Sequence, residues 1–88
     1  MKLEIVTPEK RLYRDEVEII TLPGVMGSFQ VLKRHAPMVA ALTKGMLSFT
    51  AKGKTEKIKI EDGVLEVHDN KVVVCLDSAM EQVTSDMS

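Results

Sequence analysis

Along most of the chain apolar and polar residues alternate with a period of two, the pattern of a strand with one dry and one wet face. In "KLEIVT" Leu3 and Ile5 share one side while Lys2 and Glu4 share the other. "EVEIITL" sets Val17 and Ile19 against Glu16 and Glu18, and "EKIKIE" sets Ile58 and Ile60 against Lys57, Lys59 and Glu61. "VLEVHD" puts Leu65 and Val67 opposite Glu66 and His68. The run "KVVVCLD" is apolar throughout and predicts a central strand covered on both faces. Lys52-Gly53-Lys54, Asp62-Gly63 and Asp69-Asn70 each separate two such runs, with Gly or Asn to supply the positive φ of a tight hairpin turn. Pro8 and Pro23 mark strand ends or edges, because proline cannot donate to a central ladder. Short strands punctuated this often predict an all-β antiparallel sandwich or flattened barrel.

Two segments leave the pattern. "APMVAALTKGMLSF" reads either as a short helix from Pro37 to Thr43 or as a strand with Met38, Ala40 and Leu42 on one face; the residues leave both open. The polar tail "SAMEQVTSDMS" offers Ser78 as a helix N-cap with Glu81 as its capping-box partner. The sandwich is expected over residues 1–79, with a short polar tail over 80–88.

Eighty-eight residues make one domain. Folding at this size buries roughly 60–65% of the surface that the open chain exposes, which leaves little room for a large cavity. Tyr13, Phe29 and Phe49 are the only aromatics, so aliphatic side chains must fill the core. A net charge of −1 and this scarcity of aromatics count against a nucleic-acid partner, which needs a basic face or stacking platforms. The single cysteine, Cys75, excludes an internal disulfide framework and, lying in an apolar run, reads as inert core. No apolar stretch is long enough to cross a bilayer, so direct bilayer insertion is not expected.

Candidate chemistry is thin. His35 and His68 stand far apart, with no ligand spacing for a metal. Ser28 and His35 lack the G-x-S-x-G elbow of a hydrolase and read as a polar loop residue and a surface histidine. "GVMG" lies between strand-like runs instead of before a helix, so it is no phosphate cradle. No catalytic residue, metal or cofactor is expected. What stands out is Val25-Met26, two apolar residues at a turn framed by Gly24 and Gly27. They either fold back over the end of the sandwich or form an interface tip, a use to which methionine's flexibility suits it.

Those residues, with G-x-x-G at Gly24–Gly27, H-A-P at His35–Pro37 and the L-E-V…N-K-V run at Leu65–Val72, carry a resemblance over nearly the whole chain. The sequence resembles the epsilon subunit of F-type ATP synthases, called delta in mitochondria. That resemblance implies a ten-stranded β-sandwich of the central stalk, packed on the gamma subunit and on the polar loops of the membrane c-ring. It would couple proton-driven rotation to ATP synthesis as a non-catalytic rotor subunit, peripheral on the cytoplasmic face of a bacterial inner membrane or the stromal face of a thylakoid. The likeness favours a strand for Met38 to Leu42. It places Gly24, Val25, Met26, Gly27 and Ser28 on the c-ring side, and Lys33, Arg34, His35, Ala36 and Pro37 on the gamma side, with Thr7 near the latter.

The chain departs from the family pattern at Gln30, commonly glycine, and at Lys33-Arg34, commonly proline and a small residue. Ser28 stands where many members carry an acid, and "EDG" before Val64 replaces a small pair. Many members continue into a C-terminal helical hairpin that inhibits ATP hydrolysis and in some binds ATP. This sequence stops at Ser88, so neither helix-mediated autoinhibition nor nucleotide binding is expected of it. A stand-alone β-sandwich interaction module, binding by loop or edge-strand contact, fits the composition equally well.

Overall fold

The computed structural model describes residues 1–77 and the backbone of 82–84. Ten strands follow in order: β1 (Lys2–Val6), β2 (Arg11–Glu16), β3 (Ile19–Gly24), β4 (Gly27–Leu32), β5 (Met38–Leu42), β6 (Gly45–Ala51), β7 (Lys54–Ile60), β8 (Gly63–His68), β9 (Lys71–Leu76) and β10 (Gln82–Thr84). Hydrogen bonding runs in the order β10-β7-β6-β3-β5-β8-β9-β1-β2, with β4 attached to β3. One layer holds β4, β3, β6, β7 and β10, and the other holds β5, β8, β9, β1 and β2. They join where β3 meets β5 through the single pair Gly24↔Leu42. Every pairing is antiparallel except β1 with β9, which are parallel. That pair needs a long connection, and the rest of the sandwich supplies it.

The alternation read from sequence fixes the inner faces. Ala40, Leu65, Val74, Ile5 and Tyr13 stand in one cross-strand row of one layer. Val31, Ile20 and Phe49 form a row of the other. The two rows meet where the Tyr13 and Phe49 rings pack with centroids 4.4 Å apart, a tilted pair within attractive range. The remaining core is aliphatic, with Leu3, Leu22, Leu47, Ile58, Ile60, Val67 and Val72 buried. Met38, Ala40 and Leu42 do share the inner face of a strand, while Val39 and Ala41 point out.

Three expectations are corrected. β9 is central, but Val72, Val74 and Leu76 face inward while Cys75 is exposed. In a two-layer sandwich each strand has one covered face, so the all-apolar run is dry on one side only. In "EVEIITL" Val17 and Ile20 are buried, not Val17 and Ile19. The run is two strands: at Val17-Glu18 the chain crosses layers, with the Val17 amide donating to Met1 O (2.8 Å) and that of Glu18 to Thr50 O (2.8 Å). The crossing breaks the alternation and resets which face is dry. Finally, Asp62-Gly63 makes no hairpin, since β7 and β8 lie in different layers. Its glycine serves close packing: a Cβ on Gly63 would stand 2.7 Å from Cys75 O. The other two turns behave as read, with Lys52, Gly53, Asp69 and Asn70 all at positive φ. The expected helix start at Ser78 and Glu81 lies outside the described residues, while Gln82–Thr84 pairs with β7 inside the stretch read as a tail.

Candidate functional site

The two expected contact segments flank β4. Before it lies the β3–β4 hairpin, whose turn is Val25-Met26. Gly27 takes φ 124°, open to glycine and strained for any L side chain, and this lets so short a turn close. The base of the hairpin is locked by contact and by hydrogen bonds. A Cβ on Gly24 would lie 2.7 Å from Phe29 Cε1 and 2.9 Å from Gly27 O, and one on Gly45 would lie 2.8 Å from Pro23 Cβ. The Val25 amide donates to Ala41 O (3.1 Å) and the Thr43 amide to Pro23 O (2.9 Å).

On this stiff base the two apolar side chains stand in solvent: Val25 is 59% and Met26 96% exposed. They do not fold back over the core. Val39, 72% exposed, extends the same surface on β5. A shallow hollow of about 370 Å³ lies between tip and strand, lined by Val25, Met26, Phe29, Met38, Val39 and Ala41 among others. Val25, Met26 and Val39 together make one exposed apolar patch. The outward place of Val39 was legible from the alternation that put Met38, Ala40 and Leu42 inside.

After β4 comes the turn Leu32–His35, closed by the His35 amide donating to Leu32 O (3.2 Å). Lys33 and Arg34 occupy its centre, both exposed, and Arg34 is held at φ 62°. A positive φ at the second central position is that of a type II turn, which favours proline followed by glycine. Here arginine takes the glycine position, at a cost of about 1–2 kcal/mol. Asn70 helps to hold it: its Oδ1 accepts from the Arg34 amide at 2.9 Å, and its carbonyl accepts from the Lys2 amide at 3.1 Å. Local pattern assigns Asn70 only a turn role; its bond across 36 residues depends on the β8–β9 turn lying beside the turn that follows β4. His35 is half-buried, and its Nδ1 lies 2.8 Å from Ala36 O, a group that can only accept. Nδ1 is therefore the donor in this contact, which fixes the ring and leaves Nε2 to meet a partner. Ala36 and Pro37 follow, both exposed, and lead into β5.

Thr7 does not join this group. Registry places Gly24 beside Leu42, Leu42 beside Gly63, Gly63 beside Leu76, and Cys75 beside Val6. Thr7 therefore sits at the hairpin-tip end of the sandwich, while Lys33–Pro37 lies at the opposite end, near Asn70. Buried Thr7 uses its hydroxyl internally: Oγ1 donates to Lys10 O and accepts from the Lys10 amide, both at 3.2 Å, closing the β1–β2 turn. Among the described residues no three His, Cys, Asp or Glu side chains gather as a metal would require.

Fold and surface together define a small β-sandwich domain that presents its distinctive side chains on turns. The family model for the ATP synthase delta/epsilon chain β-sandwich domain matches residues 1–82, and the chain belongs to that family. Among curated relatives it is 46% identical over 79 residues to the ATP synthase epsilon chain of Carboxydothermus hydrogenoformans, covering 90% of this chain and 59% of the relative. It is 44% identical over 78 residues to that of Syntrophomonas wolfei, covering 88% and 57%. The chain thus spans under two thirds of the length of these relatives. Among solved structures, a chain of the Euglena gracilis mitochondrial ATP synthase (OSCP/F1/c-ring) matches with a TM-score of 0.80 at 24% identity, covering 98% of this chain and 54% of that one. One from the central stalk and c-ring of the Tetrahymena thermophila enzyme gives 0.76 at 19% identity, covering 91% and 65%. At these identities the structural matches speak for the fold alone.

Proposed function

We propose that this sandwich is the rotor-coupling domain of an ATP synthase epsilon subunit, a non-catalytic element of the central stalk. In this reading it holds the gamma subunit at one end and the loops of the c-ring at the other, so that proton-driven rotation of the ring reaches the shaft that drives ATP synthesis. The domain is then peripheral, on the cytoplasmic face of the membrane, and holds no nucleotide. Membership of the family supports the assignment, and one observation carries the mechanism. Val25 and Met26 stand in solvent on a hairpin whose base is held by close glycine contacts and two backbone hydrogen bonds, a support suited to a torque-bearing contact.

Gly24, Val25, Met26, Gly27 and Ser28 form the ring-side contact, with Met26 as its apolar anchor. Lys33, Arg34, His35, Ala36 and Pro37 form the gamma-side contact, in which Arg34 and Lys33 meet acidic groups and His35 Nε2 makes a hydrogen bond. Thr7, at the other end with its hydroxyl used internally, is left out of the gamma set. A two-layer sheet body between them transmits force with little deformation, because its close-packed aliphatic interior resists compression.

The test is recovery of a gamma complex from purified components, then its assembly with c-ring in detergent. His35→Ala is expected to weaken gamma binding about tenfold, and Met26→Asp to weaken ring binding about tenfold, each leaving the other contact intact. A chain that binds neither partner sinks the reading.

A further inference from the structure

Among the residues with described side chains the two layers end at β2, at β4 and at β5, the last joined to β3 only at Gly24↔Leu42, and β2 and β4 are protected differently. β2 carries four charged residues in six: Arg11, Arg14, Asp15 and Glu16. Charges of this kind stop an edge from pairing with another chain. β4, "GSFQVL", carries none, contains no proline, and among the described residues pairs only with β3.

The direction of its free groups follows from one hydrogen bond. Pro23 O accepts from the Thr43 amide, so it points away from β4. Pro23↔Ser28 is therefore a non-hydrogen-bonded pair, and alternation makes Thr21↔Gln30 and Ile19↔Leu32 the same. The amides of Ser28, Gln30 and Leu32 and the carbonyls of Ser28 and Gln30 thus face outward along the open edge, while Leu32 O is taken by the His35 amide. Half-buried Phe29 and exposed Leu32 add apolar surface beside them. The basic pair Lys33-Arg34 stands immediately past one end.

We propose that the free edge of β4 takes an extended segment of the gamma subunit as an added strand, extending the contact at Lys33–Pro37. The segment is uncharged where it passes Ser28 and Gln30 and acidic at the end that meets Lys33 and Arg34. Main-chain bonds then give the grip, and the two cations set position and direction. This rests on the gamma-side reading above and deepens it.

Amide hydrogen exchange by NMR, on the chain alone and saturated with gamma, tests it directly. Ser28, Gln30 and Leu32 amides should exchange fast in the free chain and gain at least about tenfold protection in the complex. Phe29 and Val31, already bonded to β3, should change little. Gln30→Pro removes one outward amide at a position where proline is tolerated. It should weaken gamma binding about tenfold, while Gln30→Thr should not. A gamma complex in which Ser28, Gln30 and Leu32 stay unprotected overturns strand addition and leaves the coupling function standing. Absence of any gamma complex overturns both. Protection in the chain alone, with a dimer in sedimentation that Gln30→Pro abolishes, assigns the edge to a second copy and also overturns the proposal.

Discussion

The hairpin tip at Val25-Met26 and the basic turn at Lys33-Arg34 are the two ends of one strand, yet they are held by opposite means. The tip is apolar and fixed by steric fit: glycines at 24 and 45 let Phe29 and Pro23 close beneath it, where a Cβ would sit under 3 Å from its neighbours. The turn is cationic and fixed by polarity: an arginine in a left-handed conformation is tethered by a side chain far along the sequence. A contact that must project greasy side chains into water needs a base with no freedom to collapse. A contact built on charge can sit on a looser base, because electrostatic attraction falls off gradually with distance.

Substitutions can break this contrast in order of size. Gly24→Ala should cost about 2 kcal/mol by overpacking against Phe29 and Gly27 O, lowering the melting temperature by about 10 °C. Thermal unfolding by circular dichroism measures it; a change under 2 °C on that scale would show the tip to be softer than described. At the turn, Asn70→Ala should cost about 1.5 kcal/mol, from the lost bond to Arg34 and an unfavourable φ for alanine. Asn70→Gly keeps the conformation and should lose only the smaller hydrogen-bond share, so the pair separates the two causes in urea unfolding.

Arg34→Gly should act in the other direction. Relief of about 1–2 kcal/mol of strain, less about 0.5–1 kcal/mol of glycine's chain entropy, leaves a net gain near 0.5–1 kcal/mol. The same variant should bind gamma more weakly and with less salt dependence; no gain in stability would show the turn to be unstrained. The smallest effect belongs to the body between the ends. Burial, then the charges of Asp15 and Glu56, raise the Tyr13 hydroxyl above its ordinary pKa of 10.0. The folded state then binds this proton more tightly than the unfolded one. The favourable contribution is complete below pH 10 and is lost as pH rises through the folded value. Tyr13→Phe should flatten the fall of stability above about pH 10 in alkaline urea titrations.

Much of this was legible in the residues. Alternation placed Leu3, Ile5, Ile58, Ile60, Leu65 and Val67 inside, because a strand's period of two is a local property that needs no partner to be read. The two glycines and the apolar pair marked the hairpin tip, and the resemblance chose a strand for Met38–Leu42. What failed depended on layers. Cys75 read as core because an apolar run does not say how many of its faces are covered. Val17-Ile19 read as one face because nothing local announces a crossing between sheets. Thr7, set near the His35 side by the resemblance, lies at the other end by strand register.

The sequence by itself determined that this chain forms short strands with one dry face and where the tight turns at Gly24–Gly27, Lys52–Lys54 and Asp69–Asn70 fall. These follow from φ preferences and side-chain alternation over a few bonds. Tertiary structure alone decided which ends the turns share, that Asn70 holds Arg34, and that β4 is left with an open, uncharged edge. Those facts depend on pairing between segments tens of residues apart, whose register is set by the collective closing of two layers over one core.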